Sequence, residues 1–255
     1  MADDILKTVI VGISGASSSG KTTLCQLLME IFPNLLVIHE DNFFKPKDEI
    51  PYKEGFQNWD CAEALSMPDI IESLKYVRQN GTLPGNKIVN KQYLKDDINP
   101  DKCSNFKDVI TNLKNKVISW SAPGQPGHIF QSRKICLFEG FLLYSRSTSD
   151  IWPYLDLKFF IQASQSFVKI NRMERLPYIT DEGYWEEPPN YVDSVVWPSY
   201  CREHEWLFEN GNVEGGLLKM PDSRCKITSL GGIDLDLETA LLSIVDLLMR
   251  ELPNL

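Results

Sequence analysis

Nine consecutive residues, Gly15-Ala16-Ser17-Ser18-Ser19-Gly20-Lys21-Thr22-Thr23, satisfy the phosphate-binding pattern G-x-x-x-x-G-K-[ST] in full, and their neighbours restrict the chain to one kind of sheet. Before them runs Thr8-Val9-Ile10-Val11-Gly12-Ile13, a short β-branched apolar run of the kind a buried parallel strand shows. After them, Thr23 to Ile31 reads as a helix. In that order, backbone N–H groups of the loop can be aimed at phosphate oxygens and backed by the positive end of the helix. Gly15 and Gly20 are expected where the backbone takes conformations closed to a residue with a Cβ. Ala16, Ser17, Ser18, Ser19 and Thr23 complete the cradle. Lys21 brings a mobile charge to the β- and γ-phosphates, and Thr22 offers a hydroxyl to Mg²⁺, a small hard cation that prefers oxygen. The loop predicts a nucleoside triphosphate as ligand and leaves the fate of its phosphate open.

Composition narrows the partners. The 255 residues suit one domain, and 43% hydrophobic content suffices for a sizeable core. A net charge of −9 opposes a broad nucleic-acid or anionic-membrane surface, so small phosphorylated ligands are the expected partners. No protein partner is readable, and monomer and homodimer stay equally open. The six cysteines, at 25, 61, 103, 136, 201 and 225, form no C-x-x-C pair, and no apolar run follows Met1 as a signal peptide requires. Apolar stretches fall short of the roughly 20 residues needed to span a bilayer. Reduced thiols in the cytoplasm or nucleus are expected.

Further strands are predicted at Leu35–His39, Lys134–Phe138 and Leu157–Ile161, with helices over Ala62–Asn80 and Leu235–Leu252 and an edge strand near Cys225–Thr228. Alternating strands and helices predict an α/β fold, a doubly wound, mostly parallel sheet between two helical layers. Pro/Gly-rich and charged stretches mark residues 82–105 and 121–132 as surface elaboration, an insertion of about 82–132 without chemistry.

Two further clusters carry chemistry. At the carboxyl end of the second strand stands His39-Glu40-Asp41-Asn42-Phe43-Phe44-Lys45-Pro46, where open α/β sheets bind ligands. Asp41, expected to face the phosphate loop from the adjacent strand, is the candidate general base and a holder of Mg²⁺-bound water; capping of a turn is its alternative. His39 is expected to tune or pack beside Asp41 rather than to catalyse. In Lys169-Ile170-Asn171-Arg172-Met173-Glu174-Arg175, the two arginines lie three apart on one helical face, suited to a transferring γ-phosphate. His128 and His204 lack ligand-spaced partners, and Trp152, Trp185, Trp197 and Trp206 read as packing residues.

These segments, with Gln57-Asn58-Trp59-Asp60, Phe138-Glu139-Gly140-Phe141-Leu142-Leu143 and Pro188 to Tyr200, resemble the nicotinamide riboside kinases, within the uridine-kinase-like phosphate-loop kinases. The similarity runs from about residue 8 to 215 and excludes much of 82–132. It implies a single kinase domain over 1–255, of the P-loop three-layer type with a helical lid at about 172–190. It implies ATP- and Mg²⁺-dependent phosphorylation of the 5′-hydroxyl of nicotinamide riboside, giving nicotinamide mononucleotide for NAD synthesis, with nicotinic acid riboside left open. Carried across, Asp41 matches the catalytic base and metal carboxylate, within a riboside-binding segment of 39–60. Asn42, Phe43 and Phe44 continue the substrate segment. Trp59 would stack on the cationic pyridinium ring and Asp60 would accept from the ribose hydroxyls. Glu139 matches an acidic residue near Mg²⁺. Lys21 and Arg172 would act on the transferring phosphoryl group, Arg175 would touch ATP, and Tyr178 matches a second base-stacking aromatic. A closing lid would exclude water. Asn171 departs from the expected basic residue, with Lys169 as a candidate substitute.

Rival functions are a uridine/cytidine kinase and a nucleotide-binding regulator without catalysis. A GTP-hydrolysing switch would need an Asn/Thr-Lys-x-Asp motif and a water-positioning Gln, and neither is found.

Overall fold

The computed structural model describes residues 8–85, 106–174, 178–180, 183–185, 188–219 and 226–255. Strand β1 (Thr8–Gly15) is the centre of a five-stranded sheet in the order β2-β5-β1-β6-β9, every pairing parallel. Its partners are β5 (Lys134–Gly140) and β6 (Leu157–Ile161); β2 (Leu35–His39) lies outside β5, and β9 (Thr228–Ser229) outside β6. All eight residues of β1 are buried, Val9, Val11 and Ile13 toward one core and Ile10 toward the other. A strand covered on both faces reads as a continuous apolar run because neither side is left to water.

The first core lies under α1 (Lys21–Ile31), α3 (Lys107–Trp120) and α6 (Leu237–Glu251), which contribute Leu24, Leu28, Leu113, Val117, Leu241 and Val245. The second lies under α2 (Met67–Asn80), α5 (Trp197–His204) and the 3₁₀ segment Arg146–Tyr154, with Ile70, Leu74, Ile151 and Tyr200 inside. The three-layer α/β/α expectation is met.

Three expectations change. Helix α2 starts at Met67, because Ala62–Ala64 is a separate 3₁₀ turn and Pro68, lacking an N–H, fits only a first helical turn. It ends at Gly81 in the left-handed conformation, φ 66°. The 82–132 segment is not all surface elaboration. Helix α3 buries Ile110, Leu113, Val117 and Trp120, and Trp120 stacks on Phe130. Burying one such side chain stabilises by about 1.5–3 kcal/mol, so this helix is a structural layer of the domain. The edge strand is Thr228–Ser229, starting at the last residue of the span read for it.

Cys25, Cys61, Cys136 and Cys201 are free thiols. Among the described residues no helix is long and apolar enough to cross a membrane.

Candidate active site

The loop between β1 and α1 is built for an anion. Gly20, left-handed at φ 92°, precedes α1, no side chain caps the helix, and its first turn carries no acidic residue. The first-turn amides therefore keep their capacity for an external acceptor. Lys21 is 6% exposed, and its Nζ donates to the carbonyl oxygens of Gly15 (3.0 Å) and Ala16 (2.8 Å). Its charge is thereby held over the loop. Gly15 has a positive φ of 158°, in keeping with the conformation read in the sequence, and a Cβ there would in addition clash with the backbone carbonyl of Ile161 in β6.

Asp41 does not stand on the strand next to the phosphate loop, because β5 lies between β1 and β2. The residue in between is Glu139, in register with Ile13 on one side and His39 on the other. Glu139 Oε1 accepts from Thr22 Oγ1 (3.0 Å) and pairs with His39 Nδ1 (2.6 Å). Burial would raise its pKa, but the hydrogen bond and charge of His39, the charge of Lys21 and the Thr22 hydroxyl outweigh it, so the carboxyl stays below its ordinary value and ionised. His39 responds inversely. Burial lowers its pKa, while Glu139 and the charge of Asp41 bring the net value above the ordinary histidine range. His39 thus pairs with Glu139 while remaining within reach of the charge of Asp41.

The chain leaves β2 through a 3₁₀ turn, Glu40–Phe43, that exposes Asp41 and buries Glu40. Glu40 Oε2 accepts from the N–H groups of Phe141 (2.7 Å) and Leu142 (3.0 Å) just past β5. Burial, aided by the charge of Asp41, pushes its pKa up to about 8 against those two hydrogen bonds. It packs where a Cβ on Gly140 would sit. Main-chain bonds from Ser66 to Phe43 (2.9 Å) and from Lys45 to Ala64 (2.9 Å) then pin the turn to the start of α2.

Of the expected substrate residues, Phe43 is 4% exposed and packs in the second core with Ile38, Leu65 and Leu74, while also bordering the cavity beside Phe44. Phe44 contacts Trp59 edge to face (5.3 Å, 87°) and stacks on Phe141 (6.1 Å, 28°), an aromatic row from the end of β5 to Trp59. Asp60 is 8% exposed, and its N–H donates to Asn58 Oδ1 (3.2 Å). A cavity of about 320 Å³ opens by Asn42, Phe44, Lys45, Glu49, Ser66 and Asp69, but neither Asp41 nor the Trp59-Asp60 pair lines it. Most of its lining belongs to the 39–60 segment, but not Asp41 or Asp60.

Helix α4 (Gln165–Met173) brings its last turn to the phosphate loop. Arg172 Nη1 donates to Ser17 Oγ (2.6 Å), and Asn171 Nδ2 donates to the carbonyl of Ser18 (3.1 Å), a residue in the left-handed region at φ 63°. Lys169 pairs with Asp193. Beyond α4, two short antiparallel strands, β7 (Tyr178–Thr180) and β8 (Gly183–Trp185), fall within residues 172–190. Arg175 and the side chain of Tyr178 lie outside the described residues.

No protein-family model matches the chain. It is 38% identical over 212 residues to the nicotinamide riboside kinase of Schizosaccharomyces pombe, covering 83% of this chain and 86% of that protein. It is 32% identical to the enzymes of the same name from Eremothecium gossypii (83% and 82% covered) and Saccharomyces cerevisiae (82% and 82%). The chain belongs to the nicotinamide riboside kinase family.

For a member of that family, the departure at Asn171 now has an account: an amide reaches the loop backbone where a longer base was expected. Sequence reasoning missed the pairing of His39 with Glu139 and the buried state of Glu40. Only the period-2 alternation of β2 hinted that neighbours 39 and 40 face opposite ways. His204 is bland as read, fully buried against Tyr200 and Phe160, with its pKa pushed down to about 4 by burial. Trp152 stacks on Trp206 and Trp197 packs on Tyr200, in keeping with packing roles.

Proposed function

We propose that this chain transfers the γ-phosphoryl group of ATP to the 5′-hydroxyl of nicotinamide riboside, yielding ADP and nicotinamide mononucleotide for NAD synthesis. The observation that carries this reading is the 38% identity to a nicotinamide riboside kinase across 83% of the chain. It is supported by a phosphate loop and an exposed carboxylate gathered at the same ends of β1 and β2. The whole chain acts as one kinase domain, with the phosphate loop at 15–23, the riboside segment at 39–60 and a lid at about 172–190.

In this reading the loop amides and Lys21 bind the triphosphate, and Asp41 takes the proton of the 5′-hydroxyl as its oxygen attacks the γ-phosphorus. The bond from that phosphorus to the bridging oxygen breaks, and ADP leaves. Arg172 offsets charge on the transferring group. Trp59 faces the pyridinium ring and Asp60 the ribose hydroxyls. Thr22, Glu139 and Asp41 fit Mg²⁺ by donor chemistry: a hydroxyl and an ionised carboxylate 3.0 Å apart, with a second carboxylate on the neighbouring turn. When bound, the ion offsets phosphate charge. Acceptance of nicotinic acid riboside and action as a monomer or homodimer are left to measurement.

The test is ADP formation with Mg-ATP and nicotinamide riboside, nicotinic acid riboside, uridine, cytidine or water, the product identified by mass. Preference for the pyridine ribosides is expected. Turnover of uridine or cytidine alone would overturn the substrate, and ADP release with water alone would overturn the kinase.

A further inference from the structure

Tyr191 holds none of the roles above, yet two separated parts of the site meet at its hydroxyl. It is 2% exposed and directly precedes the π-helical turn Val192–Val196, an uncommon element that recurs at functional sites. Its Oη donates to the carbonyl of Gln57 (2.9 Å) and accepts from the N–H of Trp59 (3.4 Å). The ring stands edge-on to Phe56 at 5.9 Å and 88°. One hydroxyl therefore straddles Asn58 and ties the backbone on both sides of it.

That backbone lies outside regular secondary structure. The ladder of β3 (Tyr52–Lys53) with β4 (Phe56–Gln57) ends at Gln57, and residues 58 and 59 belong to no helix or strand. Asn58 secures the turn from within: its N–H donates to the carbonyl of Pro51 (2.6 Å), its Oδ1 accepts from Asp60 N–H and its carbonyl accepts from Cys61 Sγ (3.2 Å). Tyr191 secures it from outside and stands in for a missing ladder rung. A stacking side chain is only as well placed as its backbone, because a shift of about 1 Å in a positioning group can cost 100-fold in rate.

We propose that Tyr191 is a positioning residue for riboside recognition: its hydroxyl sets Trp59 and Asp60 against the ligand and links them to the helical segment that follows the lid. This rests on the riboside assignment above. Tyr191→Phe keeps the ring and removes both hydrogen bonds, stranding a part-buried carbonyl and N–H. Steady-state kinetics with Mg-ATP and nicotinamide riboside should give a riboside KM raised about five- to tenfold, the factor expected for losing a hydrogen-bond partner. The KM for ATP and kcat should stay within about twofold and the melting temperature within a few degrees. In a Trp59→Ala background the same change should add less than twofold, since a residue acting through Trp59 has nothing left to position.

An unmoved riboside KM overturns the proposal, as does a rise in both KM values together with a fall in melting temperature, or full additivity in the double variant. Wild-type turnover separates the two assignments. Without phosphorylation of nicotinamide riboside both fall; with it, an unmoved Tyr191→Phe sinks the positioning role alone.

Discussion

His39 Nδ1 and Glu139 Oε1 stand 2.6 Å apart at facing positions of β2 and β5, between the phosphate loop and the turn that carries Asp41. The pair is mostly buried, so removing one partner leaves a charge in a poor solvent. His39→Ala should destabilise the fold by about 3 kcal/mol. Because the pKa of His39 is raised on folding, its contribution is present below the ordinary histidine value and is lost as pH rises through the raised one. Because that of Glu139 is lowered, its contribution is lost as pH falls through the lowered value. The wild-type advantage in denaturant midpoint should peak at mildly acidic pH, roughly 5–6, and shrink toward both extremes. A gap independent of pH would contradict the pairing.

Glu40 predicts the opposite trend. Its native pKa of about 8 means that the folded chain keeps a proton the unfolded chain gives up, so stability falls as pH climbs from the usual carboxylate range to about 8. Glu40→Gln replaces the neutral acid with an amide of the same shape. The variant should match wild type near pH 4 and exceed it at pH 8.5, by on the order of 3–5 kcal/mol. Denaturation curves at the two pH values check it, and equal curves at pH 8.5 would mean Glu40 is ionised in the fold.

Gly15 and Gly20 should respond differently to alanine. At Gly15 the new Cβ meets the Ile161 carbonyl, which the sheet prevents from yielding, whereas at Gly20 the surroundings are open and only the left-handed φ of 92° resists. Gly20→Ala should cost about 1 kcal/mol. Gly15→Ala should cost more and lower the melting temperature further. The reverse order would show that conformation dominates at both.

Asp41 and Asp60 should separate chemistry from binding. Asp41→Ala should retain ATP binding by calorimetry and lose about 10²–10⁴ in kcat. Asp60→Ala should act mainly on riboside KM and leave that for ATP unchanged. An Asp41→Ala rate within about threefold of wild type would remove it as the base.

Asn171 should act on the nucleotide. Removing its bond to the Ser18 carbonyl frees a left-handed loop residue, so Asn171→Ala should raise the KM for ATP about three- to tenfold, with riboside KM unaffected. An unchanged KM for ATP would leave the contact without function.

The strand-loop-helix at residues 8–31 was legible because each part is local: an apolar run, a glycine-lysine pattern and a helical period specify it within two dozen residues. Strands β2 and β6 were read with their observed bounds for the same reason. Helix α3 escaped because it lies beyond a charged, Pro-containing stretch that resembles surface, and its apolar stripe becomes meaningful only against α1 and α6. The burial of Phe43 was not legible, because in a 3₁₀ turn adjacent residues point in different directions.

By itself the sequence determined the phosphate loop, the alternating sheet, the carboxylate after β2 and the family resemblance, all carried by residues close together in the chain. Only the tertiary structure decided that β5 comes between β1 and β2, which puts Glu139 between Thr22 and His39. It also decided that Glu40 turns inward, and that Tyr191 meets the backbone around Trp59. These contacts join residues about 100 or more apart in the chain, and hydrogen bonds at that separation depend on strand order and packing, which no local pattern encodes.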